Sequence, residues 1–181
     1  MAMKLHLGCG SNILPGWDNH DKDVDLTKPL PFADDSFDFI FTEHVIEHLS
    51  PVDGWRFFIE ARRVLKDGGI IRTAFPDPAR IVRRYTKEYL EVFNPCTGQP
   101  RTVEGALNSI ISDWGHKSIW TVDGMTAILS GLGMPVEEAE PGESSHPELA
   151  GLERHGRIIG HVEAIRIQTS VLEATKNLLY K

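Results

Sequence analysis

Two stretches of this 181-residue chain carry residue types that could do chemistry. One is Glu43-His44-Val45-Ile46-Glu47-His48, which sets two carboxylates beside two imidazoles. A histidine titrates near neutrality and so suits proton transfer. The same letters contain H-x-x-E-H, an inverted zinc-protease motif, through His44, Glu47 and His48. That chemistry wants both histidines on one face of a long helix and a third ligand from elsewhere. Here Ser50-Pro51 starts a new helix almost at once, and Val45, Ile46 and Leu49 read as core. No metal site is therefore expected, and a zinc hydrolase is only a remote alternative.

The other stretch is Gly8-Cys9-Gly10, followed by Asp21 and Asp25. Glycines at a strand end let the backbone approach a ligand closely. A carboxylate at Asp21 could accept two ribose hydroxyls, and one at Asp25, just before Leu26, an adenine amino group. Each feature alone is an ordinary turn signal, and the glycines do not complete G-x-G-x-x-G. Their order along the chain is the specific part. The ribose acid falls within Asp18, Asp21 and Asp23. Cys9 is expected to supply backbone and bulk, not a nucleophile. With Cys96 it makes only two cysteines, without disulfide-framework or metal-ligand spacing.

These residues need elements to hold them, and the first half reads as alternating strands and helices. Lys4–Leu7 is a short strand stopped by the glycine turn; a second strand ends near Asp21, and a third lies at Asp25. Phe37–Thr42 is a continuous apolar run, as in a strand buried on both faces. Ser50-Pro51-Val52-Asp53 begins a helix whose Val52, Trp55, Phe58, Ile59 and Leu65 recur at helical spacing until Asp67-Gly68-Gly69. Ile70–Phe75 is the next strand. Helices follow over about Ala79–Phe93, Val103–Trp114 and Val122–Leu132, with a loop at Asn94–Pro100. Pro141–Pro147 reads as a surface loop, and strands near Val136–Ala139 and Thr169–Thr175 complete an α/β pattern.

Composition narrows the partners. Hydrophobic residues make up 41% and charged residues 25%, ordinary for one globular domain. The formal net charge is −7 and no basic run appears, so nucleic acid is not an expected partner. Arg80, Arg83, Arg84 and Lys87 read as a solvated helix face. No apolar stretch approaches the ~18 residues of a membrane span and no signal-peptide pattern is present, so a cytoplasmic protein without membrane contact is expected.

LHLGCGSN, GWDNHD, DLTKPLPFADDSFDFIFTEHVIEHL and LKDGGIIRTAFPD together resemble class I S-adenosylmethionine-dependent methyltransferases, in particular a compact type 11-like group. The resemblance is strong from Lys4 to about Asp77. It returns weakly at His116-Lys117-Ser118, Leu129–Met134 and Ser170–Lys176. It implies a Rossmann-like, doubly wound, mostly parallel sheet with helices on both faces. One domain would span 1–181, with a cofactor half over about 4–77 and acceptor-side elements over about 78–181. The implied cofactor is S-adenosylmethionine, leaving as S-adenosylhomocysteine. Leu7, Gly8, Cys9, Gly10, Asp21, Asp25, Leu26 and Glu43 would hold it, with Phe32 near the adenine or in the core.

Within that reading His44 is the candidate base, His48 a structural residue hydrogen-bonded beneath the site, and His116 a second candidate on the acceptor side. Trp114 and Trp120 would line an acceptor pocket or belong to the core. A small-molecule or glycan-type acceptor is expected. Thr42-Glu43-His44-Val45 stands where an N-P-P-Y motif would mark DNA adenine as substrate. One departure matters: ten residues separate Gly10 from Asp21, too few for a full crossover helix, so the sheet is shortened between its first two strands and the pocket more open. That shortening keeps a non-catalytic, methyltransferase-fold binding module as the alternative.

Overall fold

The structure is a computed structural model that describes residues 2–83, 102–154 and 169–177. The part of the expected Ala79–Phe93 helix beyond residue 83, the loop Asn94–Pro100, Arg84, Lys87 and Cys96 fall outside the described residues. Six strands form one sheet: β1 (Lys4–Leu7), β2 (Asp18–His20), β3 (Phe37–Glu43), β4 (Leu65–Pro76), β5 (Val136–Ala139) and β6 (Thr169–Thr175). Their order is β2-β1-β3-β4-β6-β5. The first four strands are parallel, and β6 runs antiparallel between β4 and β5. The described helices are α1 (Pro51–Val64), α2 (Pro78–Arg83), α3 (Val103–Ser112) and α4 (Val122–Gly131). None of them is long and apolar enough to cross a membrane.

Period-two alternation sorts the strand residues between two cores. Leu5, Leu7, Ile40, Ile71 and Phe75 face Phe57, Phe58, Ala61 and Val64 of α1 and Met125 and Leu129 of α4. On the other face Phe41 and Ile70 gather with Leu14, Leu149 and Leu152. Ile40 and Phe41, neighbours in sequence, are both fully buried on opposite faces, as the apolar run of β3 predicts.

The second face is closed by the loop over residues 140–154, and one side chain fixes it. Arg72 on β4 is fully buried and pairs with Glu173, its cross-strand neighbour on β6. Its Nε donates to Glu153 Oε1 at 2.5 Å, and Nη1 to the Glu143 carbonyl at 3.0 Å. A strand cation therefore fixes where the loop lies.

The crossover from β1 to β2 spans residues 8–17 without any helix. Asn19 organises it: its Oδ1 accepts from the Leu14 amide at 2.9 Å, and its Nδ2 donates to the Leu14 and Trp17 carbonyls at 3.0 and 2.7 Å. His6 Nδ1 donates to the same Oδ1 at 3.1 Å. Burial holds that imidazole neutral, with its pKa lowered to about 4.

Four local expectations need correction. No third strand forms at Asp25, because its carboxylate turns back to accept from the Thr27 amide and hydroxyl at 3.0 and 2.7 Å. The loop after it, including Leu30 and Phe32, is pinned to α1 instead, where Arg63 donates to both carbonyls at 2.9 Å. The buried face of α1 is Gly54, Phe57, Phe58, Ala61 and Val64, whereas Val52, Trp55 and Ile59 are exposed. Gly54 decides this, since a Cβ there would lie 2.7 Å from Trp120 Cζ2. Helix α1 ends at Val64, and Asp67-Gly68-Gly69 lies in β4, near the register shift between Phe37 and Phe39. Finally, Arg80 is not on a solvated face: it is buried, with Nη2 2.6 Å from Glu140 Oε2 and Nη1 3.5 Å from Glu138 Oε1.

Elsewhere the local signals hold. Ser50 caps α1, its Oγ accepting from the Asp53 amide at 3.2 Å. Helix α3 stops short of Trp114, which takes a positive φ of 63° ahead of Gly115.

The Arg72 site makes a stability prediction. Arg72→Met leaves two buried carboxylates without a cation and should cost about 3–5 kcal/mol in urea unfolding. Adding Glu153→Leu and Glu173→Leu should recover most of that loss. A single-variant cost under about 1 kcal/mol would show that the network does not hold the loop.

Candidate functional site

The carboxyl ends of β1, β2 and β3 form one rim, and the sequence candidates gather there. Leu7 ends β1, fully buried. Gly8 takes a φ of 69°, and a Cβ on it would lie 2.2 Å from Val45 Cγ2, so the turn and the Glu43–His48 segment touch without room for a side chain. Gly10, at φ 47°, faces open space. The Cys9 amide donates to the His20 carbonyl at 3.0 Å, tying the glycine turn to the end of β2. Burial, with the Asp21 and Asp23 carboxylates nearby, pushes the Cys9 thiol pKa up.

Geometry separates the three acids that the sequence leaves open. His20 Nδ1 lies 2.6 Å from Asp23 Oδ2, and Nε2 lies 3.1 Å from Asp18 Oδ1. Asp23 Oδ1 also accepts from the Asp21 amide at 2.8 Å. Asp21 follows the last residue of β2, is exposed, and has no hydrogen-bond or ion-pair partner for its carboxylate among the described residues. It is the acid free to meet a ligand.

The other candidates are already engaged. Asp25 spends its carboxylate on Thr27 and on Lys28 Nζ at 3.1 Å, and these contacts, Thr27 first, hold its pKa down at about 2. Leu26 and Phe32 pack against the main core, Phe32 edge-on to Phe37. Both Glu43 carboxylate oxygens lie 3.0 Å from the Arg154 amide, at the end of the covering loop.

His44 leaves β3 with a φ of 53°, in left-handed space. Its Nδ1 is 3.1 Å from Glu47 Oε1 and its Nε2 is 3.4 Å from Thr169 Oγ1. Such a carboxylate–imidazole contact orients the ring. His48 does not fit its expected role: no described residue hydrogen-bonds its ring, which meets His116 edge-on at 5.0 Å between centroids. His116 therefore does come to this side of the molecule. Its segment is held by the Lys117 and Ser118 amides donating to the Glu47 carbonyl at 2.8 and 3.2 Å. Trp120 is core, donating from Nε1 to the Ile46 carbonyl at 3.2 Å, whereas Trp114 is exposed.

Sequence reasoning missed Asn19, Arg72 and Thr169. A half-buried asparagine between Asp18 and His20 gives no periodic signal, and Thr169 reaches His44 from the far end of the chain.

Residues 16–73 match the model of the methyltransferase domain family, a span that includes Asp21, Asp25, His44, Glu47 and His48. Among solved structures, an S-adenosylmethionine-dependent methyltransferase of Mesorhizobium loti superposes with a TM-score of 0.55 at 16% identity, covering 96% of this chain and 90% of its own. One from Archaeoglobus fulgidus gives 0.54 at 15%, covering 97% and 86%. Another from Thermotoga maritima gives 0.53 at 17%, covering 98% and 83%. No protein of curated function matches the sequence. The fold is that of the class I S-adenosylmethionine-dependent methyltransferases.

The histidines at the two ends of the short crossover make a titration test. Asp23, then Asp18, raise the His20 pKa above its ordinary 6.5, so this pair stabilises the fold fully below that value and loses its effect as pH rises through the folded pKa. His6 works in the opposite sense: its depressed pKa removes stability as pH falls from 6.5 toward about 4. Ring-proton NMR should show the two midpoints on opposite sides of 6.5, with Asp23→Asn bringing His20 down. An unmoved His20 midpoint in that variant would refute the pairing.

Proposed function

We propose that this chain binds S-adenosylmethionine at the β1–β2–β3 rim and transfers its methyl group to a small-molecule or glycan-type acceptor. The observation that carries the reading is the unpartnered Asp21 carboxylate at the end of β2, beside a glycine turn whose Gly10 faces open space. A carboxylate so placed suits two vicinal hydroxyls, and the turn suits close passage of a ligand along its backbone.

When bound, the cofactor would supply an electrophilic methyl carbon. The residues of this chain would do the rest. Asp21 would accept from the ribose hydroxyls. Backbone at Gly8-Cys9-Gly10 would follow the methionine portion, while Glu43, closed by Arg154, would shape that end of the pocket. His44 would take the acceptor proton at Nε2, and Glu47, on Nδ1, would stabilise the imidazolium that results. Holding acceptor and methyl in line is the larger contribution, since displacement at carbon depends on approach geometry.

One observation favours the second reading, a methyltransferase fold that binds without turnover. Asp25 and Glu43, both expected to face the cofactor, are spent on contacts within the chain.

Calorimetric titration with S-adenosylmethionine and S-adenosylhomocysteine tests the proposal, with micromolar binding, about −8 kcal/mol, expected. Asp21→Ala should weaken it by about 1.5–3 kcal/mol, the range for hydrogen bonds to a charged group. Asp18→Asn should weaken it far less. Absence of binding to either ligand would leave the binding-module reading.

A further inference from the structure

The H-x-x-E-H letters suggest a metal triad of His44, Glu47 and His48, but the folded chain assembles a different trio. One carboxylate oxygen of Glu47 and one ring nitrogen each of His48 and His116 lie within 4.8 Å of one another. Glu47 is almost wholly buried, and its Oε2 has no hydrogen-bond partner. Its Oε1 faces His44 Nδ1 at 3.1 Å. A buried carboxylate oxygen without a donor is costly and asks for an explanation.

The two imidazoles are arranged as ligands. His116 Nδ1 lies 2.5 Å from the Ile110 carbonyl, which can only accept, so the proton sits on Nδ1 and Nε2 keeps its lone pair. A backbone carbonyl on the far nitrogen is the usual outer partner of a metal-bound histidine. The His48 ring has no hydrogen-bond partner among the described residues and lies against His116. The backbone bonds from Lys117 and Ser118 to Glu47 hold the two segments in register. Ring and carboxylate rotations can bring three such atoms to the ~2.0–2.2 Å of a common ion.

We infer that Glu47, His48 and His116 form a binding site for a first-row divalent transition cation such as zinc. Two imidazoles and one carboxylate suit such an ion better than the all-oxygen sets of magnesium or calcium. Three protein ligands leave coordination open. Resting on the methyl-transfer reading, an acceptor hydroxyl would take the open position and lose its proton more easily.

The test uses chelator-stripped full chain, titrated with Co²⁺ by visible absorption and with Zn²⁺ by competition, followed by metal analysis after dialysis. One equivalent should bind, with ligand-field bands of nitrogen and oxygen coordination. His116→Ala and His48→Ala should each weaken binding at least about tenfold to a hundredfold, the loss that even an outer partner causes. Circular dichroism would check that each variant folds. His116 is half-buried and should tolerate truncation better than Glu47. His146→Ala, in the covering loop, should bind as the parent does. Failure to retain one equivalent, or binding indifferent to His116→Ala, overturns the inference. Titrating the same samples with S-adenosylmethionine keeps the two readings apart: metal without cofactor sinks the proposed function alone, and cofactor without metal sinks this site alone.

Discussion

A buried guanidinium sets the terms for this structure. Arg72 stands in a central strand where a helix-covered sheet would ordinarily place an aliphatic residue. Desolvating that charge is tolerable only because Glu153, Glu173 and loop carbonyls meet its donors. The bonds are directional, so they fix where the 140–154 loop lies, and Leu149 and Leu152 are thereby delivered onto Phe41 and Ile70. From there the loop runs to Arg154, whose amide meets Glu43 at the rim. One ion network thus joins the floor of the sheet to the edge of the candidate pocket.

The short crossover imposes a second constraint. Parallel strands are commonly joined through a helix, whose amino end can also serve a ligand. Here residues 8–17 must make the passage as turns, and side-chain hydrogen bonds replace the missing helical ones. Asn19 supplies three, and the His20 contacts occupy Asp18 and Asp23. The rim is organised by polar side chains that neutralise one another, and Asp21 is the acid left over.

Strand positions were legible because alternation and continuous apolar runs report burial directly. Lys4–Leu7, Val136–Ala139 and Thr169–Thr175 are found as expected. The spacing of large residues points to the wrong face of α1, because small residues set its packing. Gly54 and Ala61 mark the close-packed side, and Trp55 points outward. The place of Asp25 in its motif suggests a third strand, yet an aspartate two residues before a threonine closes its own turn. The LPFADD stretch owes its shape to Arg63. At the candidate site, Asp21 could be narrowed to three acids from sequence. The meeting of His116 with Glu47 and His48 could not, because nothing local in either segment encodes a contact across so much chain.

The Arg72 network also orders events during synthesis. A ribosome completes β1 to β4, and with them most of the candidate rim, well before Glu153 and Glu173 emerge. Until then Arg72 sits on a sheet face with neither its counter-ions nor its apolar cover, and β4 has an unpaired edge where β6 will dock. The nascent first half is therefore a sticky intermediate. The loop that finishes its second core also closes the rim at Glu43 through Arg154, so the pocket takes its final form when that loop docks.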